Sequence, residues 1–155
     1  MMLRLGLIVA ALVVISDQIT KVAASANLTL YHPLPVLPYF NLTLMHNTGA
    51  AFSFLSDAGG WQRWLFTLLA LGVSGVIVHW LRKMPAQERW QAIGLSLIMG
   101  GALGNVIDRI RLGYVVDFIQ VYYDKFYWPA FNVADSAITV GAGILIITSF
   151  RKERS

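Results

Sequence analysis

The sequence predicts an all-α membrane protein: four transmembrane helices, a small extramembrane β-platform and an aromatic loop outside the membrane. Three observations carry this. The first is composition. Of 155 residues, 57% are hydrophobic and 13% charged, whereas an average soluble domain is about 45–50% apolar and roughly 25% charged. That leaves too little polar surface to cover a globule in water, and it excludes intrinsic disorder and collagen-like repeats. The second is a set of apolar runs long enough to cross a bilayer. The third is that the polar residues inside those runs cluster.

A helix needs about 20 mainly apolar residues to cross the hydrocarbon core, and Leu3–Ala24, Trp61–Leu81, Trp90–Ile107 and Phe131–Phe150 meet that requirement. The length suits a single domain over residues 1–155. The first run has a rival reading, because Arg4, an apolar stretch and Ala24-Ser25-Ala26 imitate a cleavable signal peptide. Asp17 and Lys21 interrupt it, and a signal segment has no use for either, so a retained helix is expected. Arg4, Arg82, Lys83, Arg89, Arg151, Lys152 and Arg154 flank the runs on one side; Lys21, Arg63, Arg109, Arg111 and Lys125 lie on the other. The positive-inside rule then puts both termini in the cytoplasm and the two longer connections outside. The net charge of +4 is read as membrane orientation, and no nucleic-acid partner is expected.

The outer connections differ. In Asn27–Gly60, Pro33, Pro35 and Pro38 exclude a continuous helix. The run YFNLTLMHN that follows is rich in aromatic and branched residues, which suit a short sheet at the membrane surface, with a turn near Gly49. Leu112–Pro129 is rich in Tyr, Phe and Trp. It reads as an interfacial anchor, as a flap over a site, or as both.

A charge at the bilayer centre costs roughly 2.5–3.5 kcal/mol, so polar residues there tend to be functional. Asp17 and Lys21 are spaced i, i+4 and share a helix face, as a structural ion pair or as part of a site. In GGALGNVIDR, Asn105 shares a face with Asp108 and Arg109, while those two are neighbours that point apart toward different partners. Gly100 and Gly104 form a GxxxG that permits close helix approach. Asp117 follows in an apolar setting, VVDFI. Asn132 and Asp135 open the fourth run and fit an N-cap with a first-turn acid, a reading that leaves Asp117 unexplained.

Under this topology the ends of helices three and four lie on one membrane side, so Asp117 and Asp135 can meet. Two carboxylates close together at low dielectric cannot both ionise, and their titration belongs to the pair. The ionised member activates water and the protonated one donates to the carbonyl or leaving amine. This is aspartic-protease chemistry, and it needs neither metal nor other cofactor. Other chemistries fit worse. There is no cysteine, and His32, His46 and His79 are scattered with no HExxH. No GxSxG elbow, P-loop or dinucleotide fingerprint is present. Two non-proteolytic readings use the same acids. A proton or ion relay through Asp17, Asp108, Asp117 and Asp135 requires groups through the membrane depth, and these lie toward one face. A scaffold uses the Asn and Asp clusters only to lock helix packing.

With these residues in view, the chain resembles the lipoprotein signal peptidases, the signal peptidase II family of bacterial membrane aspartyl proteases. The blocks that carry the resemblance are Asp17-Gln18-Ile19-Thr20-Lys21, Asn47-Thr48-Gly49-Ala50-Ala51-Phe52, Gly104-Asn105-Val106-Ile107-Asp108-Arg109, Val116-Asp117-Phe118 and Phe131-Asn132-Val133-Ala134-Asp135. They span nearly the whole chain in order. The resemblance implies an integral-membrane peptidase of the bacterial cytoplasmic (inner) membrane with its site near the periplasmic leaflet. It implies cleavage of diacylglyceryl-modified prolipoproteins on the amino side of the lipidated cysteine. Asp117 and Asp135 would be the catalytic dyad. Asn47, Asn105, Arg109 and Asn132 would bind substrate or orient the dyad, and Asp17, Lys21, Gly49, Asp108 and Ala134 would support them. Membrane lipids and globomycin-type cyclic-peptide inhibitors would be further partners, and a monomer suffices.

Overall fold

The computed structural model describes residues 1–49 and 59–152. Ala50, Ala51, Phe52 and Arg154 lie outside the described residues. The apolar runs fold as helices that mostly outlast them. The first helix, α1, covers Met2–Asn27 and the second, α2, Trp61–Lys83; after Pro85 and a 3-10 turn at Ala86–Glu88, α3 covers Arg89–Leu112 and α4 Val133–Lys152. All four are long and apolar enough to cross a membrane. Their outer faces expose Leu7, Ile8, Leu12, Ile15 and Ile19 on α1, Leu68 and Leu69 on α2, and Ile146 and Ile147 on α4. Such continuous apolar flanks suit lipid and would aggregate in water.

Helix α3 is the central one, with α1, α2 and α4 packed around it. Small residues let the backbones close in. A methyl group added at Gly100 would stand 2.8 Å from Val13 Cβ and 2.9 Å from Ala10 Cα of α1, and one added at Gly104 would stand 2.6 Å from Asp17 Oδ2. The GxxxG therefore seats α1, and its second glycine makes room for a carboxylate. Gly104→Ala is expected to cost about 1–3 kcal/mol by overpacking and to depress activity, checked by thermal melting in detergent alongside cleavage rate. At one end of the bundle Met2, Leu81, Ala92, Leu95 and Met99 form the apolar core, with Leu145 of α4 packed against it.

The polar residues gather at the other end, under an antiparallel sheet. Its strands are β1 (Leu34–Leu37), β2 (Phe40–Asn47), β3 (Val115–Tyr123) and β4 (Phe126–Tyr127), in the order β1-β2-β3-β4. The expected platform is β1 and β2. The second connection, read from its aromatics as a loop or flap, is largely strand. Val115–Tyr123 is rich in branched and aromatic residues, which suit a pleated surface, and a two-residue turn at Asp124-Lys125, with Asp124 at φ 53, returns it into β4. Both outer connections thus build one sheet. Its register sets Met45 opposite Asp117 and Asn47 opposite Val115, with a bulge between Leu42 and Met45. Gly113, at φ 87, ends α3 by donating its N–H to Arg109 O at 3.2 Å, and β3 starts two residues later.

Candidate active site

Helix α4 begins with a reciprocal cap. Asn132 Oδ1 accepts the Asp135 N–H at 2.9 Å, and Asp135 Oδ2 accepts the Asn132 N–H at 3.3 Å. Two orphan donors of the first turn are satisfied in this way. The N-cap is therefore formed, and the other end of the Asn132 amide points at the second acid. Its Nδ2 donates to Asp117 Oδ1 at 2.7 Å and lies 3.2 Å from both Val116 O and Asn105 Oδ1. Asn105 Nδ2 donates to Asp135 Oδ1 at 2.8 Å, and Asn47 Nδ2 donates to Asp117 Oδ2 at 3.1 Å. Every carboxyl oxygen of Asp117 and Asp135 thus meets a donor from an asparagine, and Asn132 touches both acids.

Behind this ring sits a buried ion triad. The Lys21 ammonium has three hydrogens and three acceptors: Asp17 Oδ2 at 2.8 Å, Asp108 Oδ2 at 2.9 Å and Asn105 Oδ1 at 2.9 Å. The two carboxylates then reach the backbone. Asp17 Oδ1 accepts the Ala134 N–H at 2.9 Å, and Asp108 Oδ2 accepts the Val116 N–H at 3.0 Å. Ala134 immediately precedes Asp135, and Val116 immediately precedes Asp117. One ammonium therefore ties together the anchors of both segments that carry the acids. Asp17, Lys21, Asp108 and Asn132 are almost wholly buried, where an unpaired charge would be costly.

Asp117, at the start of β3, is only 2% exposed. Burial, and after it the charge of Asp135, push its carboxyl up to about 7, against hydrogen bonds from Asn47 and Asn132 and the charge of Lys21, which pull the other way. A carboxyl poised near neutral pH is suited to moving protons.

A model of the family described as signal peptidase (SPase) II matches residues 9–151. The chain belongs to the signal peptidase II family. It is a signal peptidase II-type protease, a hydrolase, and a multi-pass membrane protein. It is 58% identical over 150 residues to a protein of Acinetobacter baumannii named lipoprotein signal peptidase, covering 97% of this chain and 84% of that one. A protein of Teredinibacter turnerae with the same name is 56% identical over 138 residues, covering 89% and 82%. A bacterial membrane enzyme solved by the in meso method at 2.3 Å resolution is 32% identical with a TM-score of 0.85, covering 96% of this chain and 88% of that one.

In this signal peptidase II chain, Asp108 and Arg109 do point apart. Asp108 faces Lys21, while Arg109 Nη2 donates to Gly49 O at 3.0 Å and its guanidinium lies 5.3 Å from the Phe66 ring centre on α2. Gly49 N–H in turn donates to Asn47 Oδ1 at 3.0 Å. This turn aims the Asn47 amide at Asp117, so Arg109 reaches the acid through two intermediates. Gly49 contributes its backbone, and Ala134 contributes an N–H, its own carbonyl lying so close to Gly101 that a side chain there has no room. Reasoning from the sequence missed Gln18, whose amide lies between the carboxylates of Asp17 and Asp108. One residue from Asp17, it is off the i, i+4 face that drew attention to Asp17 and Lys21, so spacing gave no signal.

Proposed function

We propose that this protein removes signal peptides from diacylglyceryl-modified prolipoproteins, cutting on the amino side of the lipidated cysteine, with Asp117 and Asp135 as an aspartic dyad. The observation that carries the dyad is the Asn132 side chain, which caps Asp135 and donates to Asp117. In this reading one carboxyl is ionised and draws a proton from water as it attacks the scissile carbonyl. The other carboxyl delivers its proton to the carbonyl oxygen or to the departing amine. Asn47, Asn105, Asn132 and Arg109 bind substrate backbone or orient the acids, and Asn132, buried with both ends of its amide committed to the acids, belongs to the second kind. A carboxamide offers both donor and acceptor, which suits an extended backbone.

The membrane setting supports a lipidated substrate. Acyl chains carried in the leaflet bring the cysteine to the headgroup level, where the sheet and the acids lie at one end of the apolar helices. The positive-inside pattern supports cytoplasmic termini in the bacterial inner membrane, with the site toward the periplasmic leaflet and one domain over residues 1–155. A monomer holds all of these groups. Globomycin-type cyclic peptides would compete for the dyad region, and the aromatic β3–β4 hairpin would border the bound peptide.

The test is to incubate the purified protein with a diacylglyceryl-modified precursor and with the same precursor unlipidated. Cleavage of the lipidated form alone, with the modified cysteine as the new amino terminus, is the expected result. Equal cleavage of both forms, or a cut elsewhere, would remove the lipid from the account.

A further inference from the structure

Gln18 belongs neither to the dyad nor to the asparagines around it, yet its side chain occupies the gap between the two anchoring carboxylates. Its Nε2 lies 2.9 Å from Asp108 Oδ1, 3.2 Å from Gly104 O and 3.3 Å from Asp17 Oδ2. Asp108 Oδ2 is committed to Lys21 and to the Val116 N–H. Oδ1 of the same carboxylate has Gln18 as its hydrogen-bond donor, with no other among the described residues. Rotation of the Asp108 carboxylate is therefore resisted at one oxygen by Gln18 and at the other by Lys21 and Val116.

We infer that Gln18 is a positioning residue for the reaction: its amide fixes the Asp108 carboxylate so that Asp108 grips the Val116 N–H and holds Asp117, one residue on, in place beside Asp135. This rests on the dyad reading above. The missing side chain at Gly104 is part of the device, because it admits Asp17 Oδ2 and leaves the Gly104 carbonyl open to Gln18. Lys21 supplies the charge that offsets two carboxylates, and Gln18 supplies the neutral donor that sets their angle.

The charged and titratable groups around Gln18 make the idea testable. Asp17 stands beside it on α1 and Asp108 faces it from α3; Lys21 is paired with both of those carboxylates, and Arg109 follows Asp108 on α3. Beyond them β3 brings Asp117 and α4 brings Asp135. An ionised carboxylate at position 18 would face Asp17 and Asp108 with no hydrogen to give. The same carboxyl in its neutral form carries one O–H and restores the donor to Asp108. Gln18→Glu should therefore depend on pH in a way the parent does not, whereas Gln18→Leu lacks the donor at every pH.

The experiment measures kcat and KM for a lipidated precursor with purified parent, Gln18→Leu and Gln18→Glu, from acid to alkaline pH, with melting temperatures recorded in the same detergent. A displacement of about 1 Å at a reacting group can cost about 10²-fold, so Gln18→Leu is expected to lose about 10- to 100-fold in kcat with KM close to the parent's. The activity of Gln18→Glu relative to parent should rise as pH falls. A merely structural role would lower the melting temperature and leave that ratio flat. A flat ratio, or an unchanged kcat for Gln18→Leu, overturns the inference. Should Gln18→Leu not fold, the pH ratio of Gln18→Glu decides alone. Asp117→Asn is the control: if it still cleaves, the dyad reading itself is lost. If it is inactive while both Gln18 variants match the parent, only the positioning role is lost.

Discussion

Asp117→Asn and Asp135→Asn are each expected to abolish cleavage of a lipidated precursor, a loss of at least about 10⁴-fold in kcat. A carboxamide has nearly the shape of a carboxyl group but only one acceptor oxygen, so at each acid one asparagine donor keeps its partner and the other faces an NH2 group. What it lacks is an ionisable group that takes up and releases a proton near neutral pH. Under the proposed dyad the two acids act as one unit on one water, so removing both should cost little more than removing either. The double variant separates this from two independent contributions, whose losses would multiply. Melting temperatures within a few degrees of the parent would show that chemistry, not folding, has been removed. Parent-like turnover by either purified single variant would sink the dyad.

Lys21→Met is expected to have the largest effect on stability. The ammonium satisfies Asp17, Asp108 and Asn105 at once, and Lys21 is 3% exposed while Asp17 is fully buried. An apolar side chain of similar length leaves two buried carboxylates facing each other without a cation. Breaking a buried ion network in this way costs about 3–5 kcal/mol, or a fall on the order of 10 °C in melting temperature for a chain of this size. Activity should fall too, through two routes that share one origin. Asn105 loses the contact that steadies its amide on Asp135, and both backbone anchors, at Val116 and Ala134, lose their common tie. Thermal melting in detergent and the cleavage rate below the new midpoint check both parts. A variant as stable and active as the parent would show that the triad does not hold the site.

Much of this was legible in the sequence, for a physical reason. Membrane helices must be long and apolar, so the runs near 3–24, 61–81 and 90–107 could be read directly, and the polar residues that broke the pattern are ones the fold gathers around Asp117 and Asp135. Asp17 with Lys21 and Asn132 with Asp135 are local pairs, visible as i, i+4 and i, i+3 spacings. What spacing does not encode is which backbone N–H a carboxylate reaches across the fold. The contacts of Asp17 with Ala134 and of Asp108 with Val116 join separate elements of the fold. The strand pairing within Leu112–Pro129 was not legible, for a different reason. That segment's Tyr and Trp content suits an interface as well as a strand, and only its pairing with β2, whose register depends on a bulge, decides between them. Gln18 escaped because a neutral side chain beside a charged one raises no alarm by composition.

At the centre stands the claim that two acids distant in sequence share a proton at one site. The pH dependence of kcat/KM on a lipidated precursor tests it most directly, since that profile reports the free enzyme's essential acid and base. Asp117 is raised to about 7, so it holds its proton below that pH and releases it above. The pair keeps a proton to donate on the acid side and loses it as pH rises, while strong acid protonates both members and removes the base. The expected profile is a bell with its alkaline limb falling near pH 7, the macroscopic values belonging to the pair. A rate that keeps rising, or stays level, well above neutrality would contradict it.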